Sequence, residues 1–217
     1  MSLEKNSAEF SGFLSGVASR LRHDLKGGLI TLRMGLEALP EEEELKPLLI
    51  ERTQHLEGLA DKLVLLLRMG QMQPRATRLS ALLGEFRRQA GDRFPEIEIE
   101  IDTEASSERP NLDGDALIYA LLELAENAVL AGATELRLLA QESAEGWNFS
   151  VTDNGKGLLS TDTVGSLTEL GFSRWERPGL GLAIARRYAQ AQGGDLALSL
   201  SPHGGASVVL HLGGLSA

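Results

Sequence analysis

Five consecutive residues in the second half of the chain have the composition of a ligand-binding loop: Asp153, Asn154, Gly155, Lys156 and Gly157. They follow an alternating apolar segment that predicts a β-strand, so the aspartate is expected to end that strand. Glycines let backbone N–H groups approach an anionic or planar ligand, and the carboxylate offers a fixed hydrogen-bond acceptor. By itself the pentapeptide is equally compatible with a plain Asn-Gly turn.

A second glycine pair, Gly179 and Gly181, lies where a helix is predicted to begin. Backbone N–H groups at a helix N-terminus bind phosphate, and small residues allow a close approach. The pair is a weak signal alone, because glycines are common at helix entries. The segment before it is a loop and not a strand, which argues against a Rossmann unit, and the chain contains no P-loop motif.

Glu123 and Asn127 form a third candidate, inside a strongly apolar helix predicted over residues 113–130. They are four residues apart and therefore share a face of that helix. A carboxylate and an amide oxygen one turn apart can hold Mg²⁺ or order a water molecule. The alternative is the exposed polar edge of an amphipathic helix, although asparagine is a poor helix former whose position needs a reason.

His23 is the fourth candidate. Leu21 and Leu25 face the core in the helical pattern around it, so the imidazole is expected to point outward. Three basic residues lie within three positions of it, and the neighbouring Asp24 could orient the ring or accept its proton. A solvated surface histidine is the alternative.

The elements that must position these residues fall into two segments. Residues 8–70 carry two apolar stripes with steps of three and four, separated by Pro40 and four glutamates, which predicts a helical hairpin. The stripes are too wide for one hairpin to cover, which favours a homodimer packed as a four-helix bundle. Packing of the hairpin on the rest of the chain is the alternative. A linker then separates two predicted domains, 1–74 and 75–217.

The second domain mixes helices and strands. Helices are predicted at residues 79–94, 113–130 and 180–192, and strands at 97–101, 135–141, 147–153, 196–200 and 207–212. Turns near Gly146 and at Gly204-Gly205 join two of the strand pairs. This order predicts an α/β two-layer sandwich, so the chain as a whole is expected to be of the α+β class.

Composition narrows the function classes. The 217 residues include 31 acidic and 21 basic ones, a formal net charge of −10 that argues against a nucleic-acid binder. Cysteine is absent, which excludes a disulfide framework and any thiolate chemistry. Hydrophobic residues make up 42%, enough for a core, but no run is long enough to span a membrane. The N-terminal residues lack the apolar segment of a signal peptide, so a cytoplasmic protein without direct membrane insertion is expected.

Taken in order, these motifs resemble those of the bacterial sensor histidine kinases. Residues 23–26 resemble the family's H box, 123–128 its N box and 153–157 its first glycine box, while 171–173 resemble the F box of the lid and 179–182 the second glycine box. The first domain then resembles the dimerisation and histidine phosphoacceptor hairpin. The second resembles the catalytic ATP-binding domain, with the Bergerat-like fold of the gyrase/Hsp90/histidine kinase/MutL superfamily.

The resemblance implies ATP-dependent autophosphorylation of His23, with Asp24 taking its proton, followed by transfer to an aspartate of a response-regulator receiver domain. It implies that Asn127 holds Mg²⁺, with Glu123 oriented toward the metal or the γ-phosphoryl group, and that Asp153 accepts the adenine amino group. An upstream sensor module, in a partner or in further chain, is also implied. The ATP-binding residues that it implies are Asn127, Asp153, Gly155, Gly157, Gly179, Leu180, Gly181, Leu182 and Ser207.

Two departures from the family pattern carry information. Gly27 stands where the family often has the Thr or Asn that positions a water for phosphatase activity, which predicts a poor phosphatase. Leu130 stands where a Lys or Arg often contacts phosphate. The loss of that cation is the one feature that favours a different class of protein, a histidine phosphotransfer or scaffold protein whose ATP-binding domain is vestigial.

Overall fold

The computed structural model describes residues 25, 27–40, 45–68, 72, 74–105, 109–157, 180–202 and 204–213. The chain divides into two compact units, Met1–Gln71 and Met72–Ala217. The functional roles predicted for the two domains are not decided by this division and stay predictions. Among the helices that these residues form, none combines the length and apolarity needed to cross a membrane.

The described residues of the first unit form two helices, α1 (Gly27–Glu37) and α2 (Lys46–Arg68), which pack against each other. Pro40 lies between them, and the Lys46 ammonium donates hydrogen bonds to the carbonyl oxygens of Glu37 and Leu39, at 3.1 and 2.7 Å. These bonds satisfy carbonyl groups that the end of α1 leaves without intrahelical partners. The predicted hairpin turn is therefore stabilised by the first residue of the second helix.

The seam inside this hairpin does not consist of the predicted leucine stripes. Among the side chains described in this unit, the buried ones are Thr53, Ala60 and Val64 of α2, and an ion pair crosses the seam from Arg33 Nε to Glu57 Oε1 at 3.3 Å. Most described leucines of the stripes are instead exposed in the single chain, namely Leu25, Leu32 and Leu39, and Leu45, Leu49, Leu56 and Leu63, while Leu59 is half-buried. The expectation that Leu25 faces a core is thus not met within one chain. The four-helix bundle stays a prediction.

The second unit is built on a mixed five-stranded sheet. Its strands are β2 (Glu98–Glu104), β4 (Glu135–Ser143), β5 (Gly146–Asp153), β6 (Asp195–Leu200) and β7 (Ala206–Gly213), in the order β2-β4-β5-β7-β6. The β2–β4 pair is parallel and the other pairs are antiparallel. Each predicted strand and helix of this unit is present, with ends that differ by at most three residues, so the predicted α/β layering is confirmed here.

In the part of this unit that the structure describes, three helices pack on the sheet: α3 (Leu79–Arg93), α4 (Gly114–Leu130) and α5 (Gly181–Ala191). The inward positions of the strands alternate with exposed ones, as in β4, where Leu136 and Leu138 are buried and Arg137 is exposed. Helix α4 is the most apolar of the three because neighbouring elements cover it on several sides. The core therefore lies between the helices and one face of the sheet.

Helix α4 is fixed at its start by three contacts. The sequence left open whether Asp113 or Asp115 caps the helix; the Asp113 carboxylate accepts a hydrogen bond from Ala116 N at 3.1 Å and is the cap. The buried Tyr188 of α5 donates its hydroxyl to the Asp113 carbonyl oxygen at 3.3 Å, and burial raises the pKa of Tyr188. Two-residue strands, β1 (Arg75–Ala76) and β3 (Asn111–Leu112), pair just before it. They are too short for alternation to reveal in the sequence.

Helix α5 is held to the sheet at its other side by an ion pair. Arg186 Nε lies 2.9 Å from Asp195 Oδ1 at the start of β6. The hydrogen bond from Arg186 lowers the pKa of Asp195. With Tyr188 pointing to α4 and Arg186 to β6, the rotation of α5 about its axis is fixed. The N-terminal end of α5 is thereby directed toward one point on α4.

Candidate functional site

That point on α4 carries Glu123 and Asn127. The sequence alternative placed Glu123 on a solvated polar edge of the helix. Its side chain is only 1% exposed, so that alternative is wrong. Both side chains meet the backbone of Gly181 at the start of α5: a Cβ at that glycine would lie 2.9 Å from Glu123 Oε2 and 3.1 Å from Asn127 Nδ2. The glycine leaves a cradle lined by a carboxylate and an amide.

The chemistry of this cradle fits a hard cation and a phosphate. Carboxylate and amide oxygens are ligands that Mg²⁺ accepts, and Mg²⁺ commonly takes only one or two of them from a protein. Asn127 Nδ2 is buried and, among the described residues, has no hydrogen-bond partner. A buried amide of that kind is costly unless a ligand supplies the missing acceptor. Glu123 and Asn127 are therefore the residues that would hold Mg²⁺ and the phosphates next to it.

The N-terminus of α5 adds a positive dipole end to the cradle. Leu180 occupies the N-cap position, and its apolar side chain makes no capping hydrogen bond and is buried. The first backbone N–H groups of a helix lack intrahelical acceptors and attract anions when no side chain caps them. Leu182 is half-buried in the first turn. Leu180 and Leu182 thus contribute packing and backbone groups.

Asp153 ends β5 as predicted and is nearly buried. Its Oδ1 accepts two backbone hydrogen bonds, from Gly155 N at 2.8 Å and from Ala206 N at 3.2 Å. No described residue donates a hydrogen bond to Oδ2. The carboxylate is therefore held in one orientation by the backbone and keeps an oxygen for a ligand donor such as the amino group of a base.

Glycines make the surroundings of Asp153 possible. A Cβ at Gly205 would collide with the carbonyl oxygen and with Oδ1 of Asp153. Gly157 has a φ of +70°, and a Cβ there would lie 2.7 Å from the Gly204 carbonyl oxygen. The β6–β7 turn and the loop after β5 thus pack backbone against backbone. Gly205 and Ala206 were missed as site residues, because residues 204–207 indicated a turn and a resemblance to the family's closing strands, from which only Ser207 was taken as a binding residue.

The structure does not bring all predicted residues together. Ser207 Oγ lies 3.2 Å from Thr152 Oγ1 across the β5–β7 pair, and because side chains alternate along a strand, this contact is on the sheet face opposite Asp153. Its neighbour Ala206 reaches the aspartate through its backbone. His23, Asp24 and Gly179, like the lid that contains residues 171–173, lie outside the described residues.

Comparison with known proteins agrees with this arrangement. Residues 112–214 match the family described as "Histidine kinase-, DNA gyrase B-, and HSP90-like ATPase". The chain is 25% identical over 205 residues to the sensor histidine kinase ZraS of Escherichia coli K12, a match that covers 91% of this chain and 44% of ZraS. The chain therefore spans less than half the length of that curated relative.

Two further proteins to which the chain is similar, PrrB and ShkA, have solved structures. The sensor-type histidine kinase PrrB of Mycobacterium tuberculosis is 37% identical over 93 residues, which are 39% of this chain and 20% of PrrB. The crystal structure of the PrrB ATP-binding domain superposes with a TM-score of 0.55 at 27% identity, over 66% of this chain and 99% of that one. Full-length ShkA in complex with AMPPNP gives a TM-score of 0.62 at 26% identity, over 100% of this chain and 46% of ShkA.

The cradle at Gly181 yields a test. Gly181→Ala places a methyl group against Glu123 Oε2 and the Asn127 amide, and because Glu123 is buried it cannot move aside freely. We expect the Kd for Mg-ATP to rise about tenfold, equivalent to ~1.4 kcal/mol, as measured by titration calorimetry.

Gly91→Ala is the matched control for this variant. Gly91 lies in α3, and a Cβ there would meet nothing within 4 Å. Alanine should raise helix stability by up to about 1 kcal/mol and leave the Kd unchanged. Unchanged Mg-ATP affinity in Gly181→Ala would show that the cradle is not the phosphate side of the site.

Proposed function

Since this chain belongs to the bacterial sensor histidine kinases, we propose that it uses ATP to phosphorylate one of its own histidines and then passes the phosphoryl group to an aspartate of a receiver domain. The observation that carries the proposal is the convergence of Glu123, Asn127 and the uncapped start of α5 on one cradle. Such a kinase would draw on cytoplasmic ATP and on an upstream sensor module, in a partner or in further chain.

ATP is proposed to bind between α4, the loop after β5 and the start of α5. Asp153 accepts the adenine amino group through Oδ2, while Gly155 and Gly157 let the base lie against the backbone. Asn127 and Glu123 hold Mg²⁺, which supplies charge neutralisation for the phosphates when it is bound. Backbone N–H groups at Gly179 and Gly181 meet the phosphate oxygens, and together these contacts fix the γ-phosphoryl group in place.

The phosphoryl transfer itself is proposed to involve His23 and Asp24. A neutral ring nitrogen of His23 attacks the γ-phosphorus, the new N–P bond forms as the P–O bond to ADP breaks, and Asp24 takes the proton of the other ring nitrogen. The protein contributes mainly position and charge, because the transferring group needs little covalent help. The same phosphoryl group then moves from the histidine to a receiver aspartate.

The alternative, a phosphotransfer or scaffold protein with a vestigial ATP-binding domain, is not favoured. In a vestigial ATP-binding domain, substitutions would be expected to fill the nucleotide site with side chains or to remove the contacts that shape it. Here Gly181 and Gly205 leave the space that a Cβ would take, and Asp153 is still oriented by two backbone N–H groups. Leu130 removes one cation and leaves these features intact.

The phosphorylated residue can be identified with two histidine variants. With labelled ATP, we expect an acid-labile, base-stable phosphoprotein, and we expect His23→Gln to remove essentially all of the label. His55→Gln is the matched control, because His55 lies on α2 in the same unit and has no proposed role. Label that persists in His23→Gln would contradict the assignment of His23.

Homodimerisation is proposed to cover the exposed leucines of the first unit. In the single chain Leu32 and Leu45 are 57% and 60% exposed, and Leu56 is 48% exposed. Burial of a leucine stabilises an interface by about 2 kcal/mol, so a symmetric dimer that covers several from each chain gains enough to be stable. The occupant that matches both stripes is a second copy of the same hairpin.

Light scattering of the full chain tests this assembly. We expect a dimer, and we expect Leu56→Glu to give a monomer at micromolar concentration, because a dimer would bury an unpaired carboxylate from each chain. Gln54→Glu adds the same charge at an exposed polar position two residues away and should leave the dimer intact. A monomeric wild-type chain would contradict the proposal.

The protein is also proposed to be a poor phosphatase toward its receiver. Gly27 is four residues after His23 in the sequence, which is one turn along the helix that the sequence predicts there, and it has no group to position an attacking water. A side chain would fit there, since a Cβ at Gly27 meets nothing within 4 Å. Gly27→Thr should therefore raise receiver dephosphorylation in the presence of ADP, on the order of 10²-fold, through water positioning.

Gly35→Thr is the control for this gain of activity. Gly35 lies in the same helix, and a Cβ there also meets nothing within 4 Å, but it is two turns further along. It should leave dephosphorylation at the receiver's own rate. If the wild-type protein already accelerates dephosphorylation strongly, Gly27 is not the limiting position.

A further inference from the structure

We propose that Asn154 is a positioning residue for recognition of the adenine base, which acts through Asp153 and does not itself touch the nucleotide. The inference rests on the proposed function, since it takes Asp153 as the acceptor for the base. Asn154 lies between Asp153 and Gly155, and its side chain ties their loop to the segment that joins α4 to β4.

The Asn154 side chain makes three hydrogen bonds, all of them to Thr134 and Glu135, where the joining segment meets β4. Asn154 Oδ1 accepts from Thr134 N at 2.9 Å and from Glu135 N at 3.1 Å. Asn154 Nδ2 donates to Thr134 Oγ1 at 3.1 Å. The orientation of the amide follows from its partners, because two backbone N–H donors require the oxygen on their side.

A main-chain bond ties the same loop on the other side of Gly155. Lys156 N donates to the Ala131 carbonyl oxygen at 3.0 Å, and Ala131 N in turn donates to the Asn127 carbonyl oxygen at 3.0 Å. The loop is thus attached to the start of β4 before the glycine and to the C-cap residue of α4 after it. Asn154 and Lys156 together hold the loop of Asp153 against the segment that joins these two elements.

The orientation of the Asp153 carboxylate depends on the backbone of Gly155. The Asp153 carboxylate is oriented partly by Gly155 N, at 2.8 Å, and glycine has little intrinsic preference for one backbone conformation. The position of that N–H therefore depends on the ties at Asn154 and Lys156. Without the Asn154 tie, Gly155 N and the carboxylate that it orients lose their fixed place.

This role predicts an effect on the base and not on the phosphates. The groups proposed to hold the phosphates, Glu123, Asn127 and the start of α5, are positioned by α4 and α5 and not by the Asn154 side chain. Loss of the hydrogen bonds made by the Asn154 side chain should lower the affinity for ATP by the contribution of one hydrogen bond to the base amino group. A nucleotide that lacks this amino group should be affected much less.

The test compares ATP with purine riboside 5′-triphosphate, which lacks the 6-amino group, in Mg²⁺ buffer with the full chain. In the wild-type protein we expect ATP to bind about fivefold more tightly, the worth of one hydrogen bond. Asn154→Ala should bring this ratio close to one. Asn154→Asp should keep it, because its carboxylate still accepts from both N–H groups and from the Thr134 hydroxyl, and its added charge acts on both nucleotides equally.

Asn148→Ala is the matched control. Asn148 lies on β5, the strand that ends at Asp153, and the variant loses a comparable contact, 2.7 Å from Asn148 Oδ1 to His211 Nδ1, on the exposed side of the sheet. It should leave the ratio unchanged. A parallel loss of affinity for both nucleotides in Asn154→Ala would overturn the inference, because it would show a purely structural role.

A second variant guards against failure of Asn154→Ala to fold. Thr134→Val removes only the bond from Asn154 Nδ2 and should lower the ratio part of the way; an unchanged ratio would overturn the inference.

Failure of the proposed function has a different signature: the wild-type protein, and Asp153→Ala with it, would bind the two nucleotides equally. That result would remove Asp153 as the base acceptor and the Asn154 inference together.

Discussion

The end of β5 packs between two backbone segments, the loop that follows it and the turn between β6 and β7. Both segments donate an N–H to the same oxygen of Asp153, and both come so close that a Cβ at Gly205 has no room. A carboxylate held in this way pays little reorganisation when a ligand arrives. The base side of the proposed site depends on this packing of backbone against backbone.

The phosphate side depends on the antiparallel contact between α4 and α5. Asp113 and Tyr188 join the start of α4 to the end of α5, and the other two ends then meet at Glu123, Asn127 and Gly181. The two sides are connected where α4 ends, through Ala131 and the loop after β5. The groups proposed for the metal, the phosphates and the base are therefore connected through the backbone at the end of α4, while the side-chain contacts that orient each group are separate.

The first unit follows a different principle. Within the described residues its internal seam is partly polar, with Thr53 buried and the Arg33–Glu57 ion pair across it, while most of the described stripe leucines are exposed in the single chain. A helix pair of this length gains stability mainly from the apolar area that it covers. The described part of the hairpin therefore leaves apolar surface uncovered, which is the surface that the proposed dimer would bury.

Periodicity and motif order determined much of this protein from the sequence alone. The helices and strands of the second unit, the strand end at Asp153, the shared face of Glu123 and Asn127 and the family resemblance all follow from local spacing, because a helix or strand displays its period within a few residues. The sequence also indicated apolar stripes wider than one hairpin can cover.

Contacts between distant segments were decided only by the tertiary structure. The approach of Gly205 to Asp153, the meeting of Gly181 with Asn127, the pairing of β1 with β3 and the position of Ser207 on the other sheet face each join residues that are far apart in the chain. No local pattern records them, since a glycine needed for close packing looks in sequence like a glycine needed for a turn. Which residues of α2 are buried in the hairpin was likewise a matter of how two helices rotate against each other, and a stripe of apolar residues does not by itself specify its partner.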